Sequence, residues 1–377
     1  WHLGDAPHAL PTRHDFDEWI GVPYSNDMNW VDEPDFAELV KLSLRGNWAE
    51  QAAVYARRGA KYADPKAEHF AAPLMFSRAT NNGFVDRVEQ PTDQTLLTQR
   101  ATEAAADFVK RSADEPFFLY MAYSMPHTPL FRSDAFAGRS LGERYGDVVE
   151  EIDASVGAIH DAIEAAGVLE NTLIIFTSDN GPWLFMREEG GVSGPLRDGK
   201  GTTFEGGVRV PTVFYWPATV VPEVVSDIAS AMDLFTTVMA LVGDDAASAT
   251  DALDLSPRLL GEGASPRNEM PYYRGETLYA YRKGPWQLHF ITEGAYGLPP
   301  AKQQHETPQL YHLQRDPAER FDVAAQNPRV VADLQAAVAA HQAALTIAPP
   351  LFDARLAAIA AQMQRQSAKP AKPNNDQ

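Results

Sequence analysis

The chain has 377 residues and a formal net charge of −19, from 51 Asp plus Glu against 32 Lys plus Arg. At roughly 100–200 residues per domain, that length suggests two domains, or one large α/β domain with an appendage. The acidic balance excludes a nucleic-acid partner, which would call for a basic patch. No run approaches the ~20 apolar residues that cross a bilayer, and the absence of Cys excludes disulfides, thiolate metal sites and a cysteine nucleophile within these residues.

Residues 5–35, rich in Pro, Asp, His and Asn, read as loop. A helical pattern follows over 35–60, and a clearer helix over 93–111. Residues 117–123 are seven consecutive apolar residues bounded by Pro116 and Ser124, which predicts a buried strand. Over 145–166, Val149, Ile152, Val156, Ile159 and Ile163 recur every three or four positions, the apolar face of a helix stopped by Gly167. Residues 172–177 form a second buried strand. Strand, helix and strand at this spacing make a βαβ unit, so the fold class is α/β with a mostly parallel central sheet flanked by helices.

A third strand over 210–216 and a helix over 229–242 complete this part. Composition shifts to Asp, Ser, Gly and Pro over 243–270, a domain boundary; we divide the chain into 1–268, 269–365 and a disordered tail, 366–377. Beyond the boundary, 278–281, 286–291 and 309–313 suit an antiparallel meander, followed by an Ala-rich helix over 330–345.

Function in an open parallel sheet gathers at the carboxyl ends of the strands, and three polar clusters fall there. His127 stands between Pro126 and Pro129, a stiff mount for a general acid. Asp179-Asn180-Gly181 ends the second strand with a carboxylate and an amide suited to a hard cation such as calcium, or simply to a turn. Lys200 lies among four glycines of 199–207, where backbone and ammonium can approach an anion. Acid, cation site and lysine together point to hydrolysis of an anionic ester, phosphate and sulfate being equally open.

The chain resembles the sulfatase family, specifically its arylsulfatase A-like branch, in the alkaline phosphatase superfamily. The likeness is carried by WHLG at 1–4, GVPYSND at 21–27, PFFLYMAYSMPHTPL at 116–130, TLIIFTSDNGP at 172–182, GPLRDGKGTTFEGGVRVP at 194–211 and PQLYHLQRDPAE at 308–319. It implies an alkaline phosphatase-like fold whose first strands precede this chain, and a small C-terminal antiparallel sheet plus helix. It implies one calcium ion with Asp179 and Asn180 among its ligands. His127 and Lys200 match residues that contact the sulfate ester and help protonate the leaving oxygen, His2 one that assists sulfate release, and Ser25 a polar contact to sulfate. His289 and His305 fall in the stretch that approaches the substrate in this branch.

The family nucleophile is a formylglycine made from Cys or Ser in a C/S-x-P-x-R motif upstream of WHLG. We read no such motif within this chain; the likeness therefore places the nucleophile, with the remaining calcium ligands, outside it, and the chain is expected to be inactive and poorly soluble alone. The expected substrate is a sulfated small molecule or glycan, and the expected location periplasmic or secreted. A phosphate or phosphonate ester hydrolase of the same superfamily and a non-catalytic sulfated-glycan binder are the rival readings. Asp179-Asn180-Gly181, in place of Asp-His-Gly, favours the one-calcium sulfatase type over two-metal relatives.

Overall fold

The computed structural model describes residues 1–29, 36–61, 70–79, 85–244 and 251–346. In chain order these form β1 (Glu18–Gly21), α1 (Phe36–Leu44), α2 (Trp48–Lys61), β2 (Leu74–Arg78), β3 (Val85–Glu89), α3 (Leu97–Ser112), α4 (Glu143–Ala165), β4 (Ile174–Thr177), α5 (Glu205–Val208), β5 (Thr212–Tyr215), α6 (Ala231–Leu241), α7 (Ser256–Leu259), β6 (Glu269–Arg274), β7 (Thr277–Lys283), β8 (Trp286–Thr292), β9 (Gln303–His312) and α8 (Pro328–Ala344). Among the described residues, those up to Asn327 form one compact unit and those from Pro328 on a second. Within the second, α8 buries Leu334 and Val338, four positions apart on one face; the tail read over 366–377 lies outside the described residues.

The helix over 145–166 is present as α4, with one change of face: Val148 is buried and Val149 is 42% exposed. Ala105 and Val109 of α3 pack on Ile159 and Ile163 of α4, and Phe117, Leu119 and Met121 lean on the same cluster. Those three are the odd positions of a stretch whose even residues Phe118 and Tyr120 stay exposed. Residues 117–123 thus carry the period-2 burial of a strand, yet they join no hydrogen-bonded ladder among the described residues. No strand pairs with this stretch among the described residues, so the expected parallel ladder does not form there. The ladders among the described residues are all antiparallel: β1-β2-β3, β4-β5 and β6-β7-β8-β9.

β1 is a second difference, since it lies inside the stretch read as loop. It pairs Ile20 with Phe76 and Glu18 with Arg78 of β2. The expected C-terminal meander is present and longer than its sequence signal, with β6 added at its edge and β8 central between β7 and β9.

Candidate active site

β4 ends in the Asp179-Asn180-Gly181 turn. Ser178 Oγ donates to Asn180 O at 3.1 Å, and Asn180 Nδ2 donates to Asp179 Oδ1 at 2.5 Å. The turn is stitched to the glycine-rich segment by Gly181 N to Gly207 O, 3.1 Å, and Lys200 N to Pro182 O, 2.8 Å. A Cβ on Gly181 would stand 1.8 Å from Gly206 O, so only glycine permits this approach. Two clusters separated in sequence become one unit.

His127 reaches the same unit from the loop after residue 123. That loop is anchored by two buried acids on α4. Asp147 accepts from Gly138 N (2.8 Å), Ser140 N (2.9 Å) and Arg132 Nε (3.3 Å), and Glu151 accepts from Ser133 N (3.0 Å). Burial alone would raise the Asp147 carboxyl; the Ser140 and Gly138 amides and Arg132 outweigh it and hold it below the ordinary carboxylate value. His127 Nδ1 donates to Thr128 O at 2.7 Å, which leaves Nε2 as the ring's open nitrogen.

Trp183 joins the parts. Its ring lies 5.2 Å from the His127 ring, centroid to centroid, and Lys200 Nζ sits 4.8 Å from its centroid, within cation–π range. Tyr296 flanks Trp183 at 5.8 Å. Burial lowers the His127 pKa; Asp27 opposes this, Lys200 adds to it, and Asp179 opposes it again. The imidazole thus senses the lysine and both carboxylates at once. Asp27 was not singled out from the sequence, although it is two residues after Ser25; its Oδ1 is buried without a hydrogen-bond partner. Trp183 was also missed, its only signal being its place directly after SDNGP.

The structure brings His127, Lys200 and Asp179 together. Ser25 is half-buried in the segment carrying Asp27, and His2 is exposed with φ of +59°; Gly4 N to Pro23 O, 3.1 Å, ties the opening residues to that segment. His289 requires correction as a substrate contact. It is fully buried on the central strand β8, with Nε2 donating to Glu319 Oε1 at 2.7 Å, and it faces no open space. His305, half-buried on β9, bonds Thr292 Oγ1 at 2.9 Å, and no described contact joins it to His127 or Lys200.

One further correction concerns C/S-x-P-x-R. The pattern does occur once inside the chain, as Ser193-Gly194-Pro195-Leu196-Arg197, downstream of WHLG. There Ser193 Oγ donates to Leu196 O at 3.0 Å, while Arg197 donates to Glu319 O at 3.0 Å and stacks 3.9 Å over the Phe204 ring. Serine and arginine are both engaged in shaping the loop that carries Lys200.

An imidazole, a lysine and an oxygen-rich turn gathered at the end of β4 are groups suited to hydrolysis of an anionic ester. Known proteins fix which ester. The sulfatase family model matches residues 41–244, and that of the C-terminal region of aryl-sulfatase matches 265–373. The chain is 35% identical to human arylsulfatase A over 376 residues, covering 93% of this chain and 69% of that protein. It is 35% identical to human N-acetylgalactosamine-6-sulfatase over 377 residues, covering 93% and 66%. Among solved structures, PsFucS1 sulfatase from Pseudoalteromonas sp. superposes with a TM-score of 0.74 at 24% identity, over 91% of this chain and 69% of that one. Ps i-CgsB, solved with k-i-k-neocarrahexaose, gives 0.62 at 27% identity, over 89% and 68%. The chain belongs to the sulfatase family, hydrolases of sulfuric esters, and has its alkaline phosphatase-like fold. No helix among the described residues is long and apolar enough to cross a membrane.

Proposed function

We propose that residues 1–268 carry the anion-binding and leaving-group side of a sulfatase active site, with 269–365 as a C-terminal subdomain. The observation that supports this best is the placement of His127 and Lys200 against one indole, Trp183, beside the turn that ends β4. The Lys200 ammonium offsets the charge of the sulfate ester. As the imidazolium, with Nδ1–H held by Thr128 O, His127 gives its Nε2 proton to the departing oxygen and is left neutral. His2, in sulfate release, and Ser25, as a polar contact to sulfate, complete the set from the opening segment. The nucleophile is a formylglycine outside these residues.

Asp179 and Asn180 offer oxygen donors of the kind calcium takes. The bond between them leaves Asp179 Oδ2 and Asn180 Oδ1 without donors among the described residues. They fit the ion in kind, as two of its roughly 6–8 oxygens, and bound calcium would supply positive charge to a sulfate oxygen. The substrate is a sulfated sugar or aryl sulfate whose leaving group rests near Trp183 and Tyr296. The family's periplasmic or secreted location comes with the same reading.

The test is turnover of 4-nitrophenyl sulfate and 4-nitrophenyl phosphate by the protein expressed from its natural reading frame, with calcium present. Sulfate-ester hydrolysis is expected to dominate and to fall by about 10²-fold or more in His127→Gln and Lys200→Met. Faster turnover of the phosphate ester, or variants as active as the parent, would refute the assignment.

A further inference from the structure

The segment that presents Lys200 is held from a second side, by groups that touch no substrate. Glu319, 1% exposed, is the centre of that hold. Its Oε2 accepts from Glu205 N at 2.8 Å, its Oε1 from His289 Nε2 at 2.7 Å and from Gln287 Nε2 at 3.2 Å, and its backbone oxygen from Arg197 at 3.0 Å. Gln287 Nε2 also lies 3.2 Å from Thr203 O. Thus the Arg197 side chain, Thr203 O and Glu205 N, three groups within five residues of Lys200, are tied to a C-terminal cluster.

Glu319 takes this position with φ of +49°, a left-handed conformation that is unfavourable for a non-glycine residue. Such strain persists where surrounding contacts over-determine it. A carboxylate shut away from water is also a poor choice for cohesion alone, since well-packed apolar groups of similar volume often stabilise as much or more. What it does supply is directional: two oxygens that fix one backbone amide and one imidazole. The opposite side of the segment is fixed by Pro182 O and Gly181 N. The loop is therefore clamped between the β4 turn and the C-terminal sheet, and Lys200 sits at the middle of the clamp.

We propose that Glu319, aligned by His289 and Gln287, is a positioning residue for Lys200, setting the loop so that the ammonium meets the sulfate group. This rests on the assignment of Lys200 to the sulfate ester. It gives His289 a role through the loop instead of at the substrate.

The experiment uses the protein from its natural reading frame, wild type and Glu319→Gln. Three readouts are taken: inorganic sulfate binding by calorimetry, amide hydrogen exchange over 199–207, and the melting temperature. Glu319→Gln keeps the volume and one acceptor. It is expected to melt within a few degrees of wild type while the 199–207 amides exchange about tenfold faster and the dissociation constant for sulfate rises about fivefold. Gln287→Met, which removes the Thr203, Glu319 and His289 contacts of this amide, is expected to shift both local readouts in the same direction by less, and decides the matter if Glu319→Gln does not fold. Unchanged exchange and unchanged sulfate affinity in a folded variant would overturn the proposal. If wild type binds no sulfate, the assignment of Lys200 fails, and the exchange readout still decides whether Glu319 holds the loop.

Discussion

The closest approach in the active site gives the sharpest mutational test. In Gly181→Ala the new methyl would stand 1.8 Å from Gly206 O and 2.9 Å from the Gly206 carbonyl carbon. A carbon–oxygen contact relaxes only at roughly 3.3 Å or more, so the β4 turn and the 199–207 loop must part by more than about 1 Å. Neither offending atom is a flexible side-chain end. Parting them breaks Gly181 N to Gly207 O and strains Lys200 N to Pro182 O. Overpacking of about 1–3 kcal/mol plus about 1 kcal/mol for each of the two hydrogen bonds gives a loss of about 3–5 kcal/mol. Urea unfolding followed by far-UV circular dichroism measures it, with sulfate affinity measured in parallel. Gly157→Ala is the control: it lies in α4 with nothing within 4 Å of the added carbon, and the helix should gain up to about 1 kcal/mol. A Gly181→Ala protein that unfolds at the wild-type urea midpoint and binds sulfate as tightly would refute the packing argument.

Stability should depend on pH through His127. Burial lowers its pKa below the ordinary 6.5, so the unfolded chain binds this proton more readily than the folded one. Its contribution therefore rises as pH increases from the lowered folded value to 6.5, and is complete above it. Urea midpoints between pH 5 and pH 8 should show that slope in wild type and lose its His127 share in His127→Gln; parallel curves would contradict the assignment. Elsewhere, Asp233 is fully buried and accepts from Arg267, from Leu253 N at 2.8 Å and from Ser230 N at 2.9 Å. Asp233→Ala would leave the Arg267 guanidinium without its carboxylate, and a loss of about 3–5 kcal/mol is expected from denaturant titration.

Much of this site was legible because sequence and strand end coincide. The apolar run over 172–177 stops at Ser178, and the polar turn that follows could only cap a strand. Lys200 and His127 were legible from glycine and proline alone. Lost from view were contacts between distant segments: Glu319 lies 114 residues from the Glu205 amide it accepts, and no local pattern reports that. His289 misled because the family's C-terminal stretch, and not its own strand, suggested it; β8 is an inner strand and the Thr203 backbone packs on the side chain of its neighbour Gln287. β1 and β2 were invisible for the opposite reason, being short segments of mixed polarity whose pairing, Ile20 with Phe76, reaches across α1 and α2. In α4 the helical period was right, and Ile152, Ile159 and Ile163 are buried as expected; Val149 gives way to Val148, and Glu151 and Ser155 take buried places that an apolar count passes over.

Trp183 has one more consequence, an optical one. Indole emission is sensitive to a nearby ammonium and to the protonation of an adjacent imidazole, and this indole touches both Lys200 and His127. Any anion that draws the lysine away alters the light this side chain returns. The chain contains seven tryptophans, so the difference spectrum between wild type and Trp183→Phe isolates the one that watches the site. The active centre therefore carries its own fluorophore, and its occupancy can be followed in solution without a label or a chromogenic substrate.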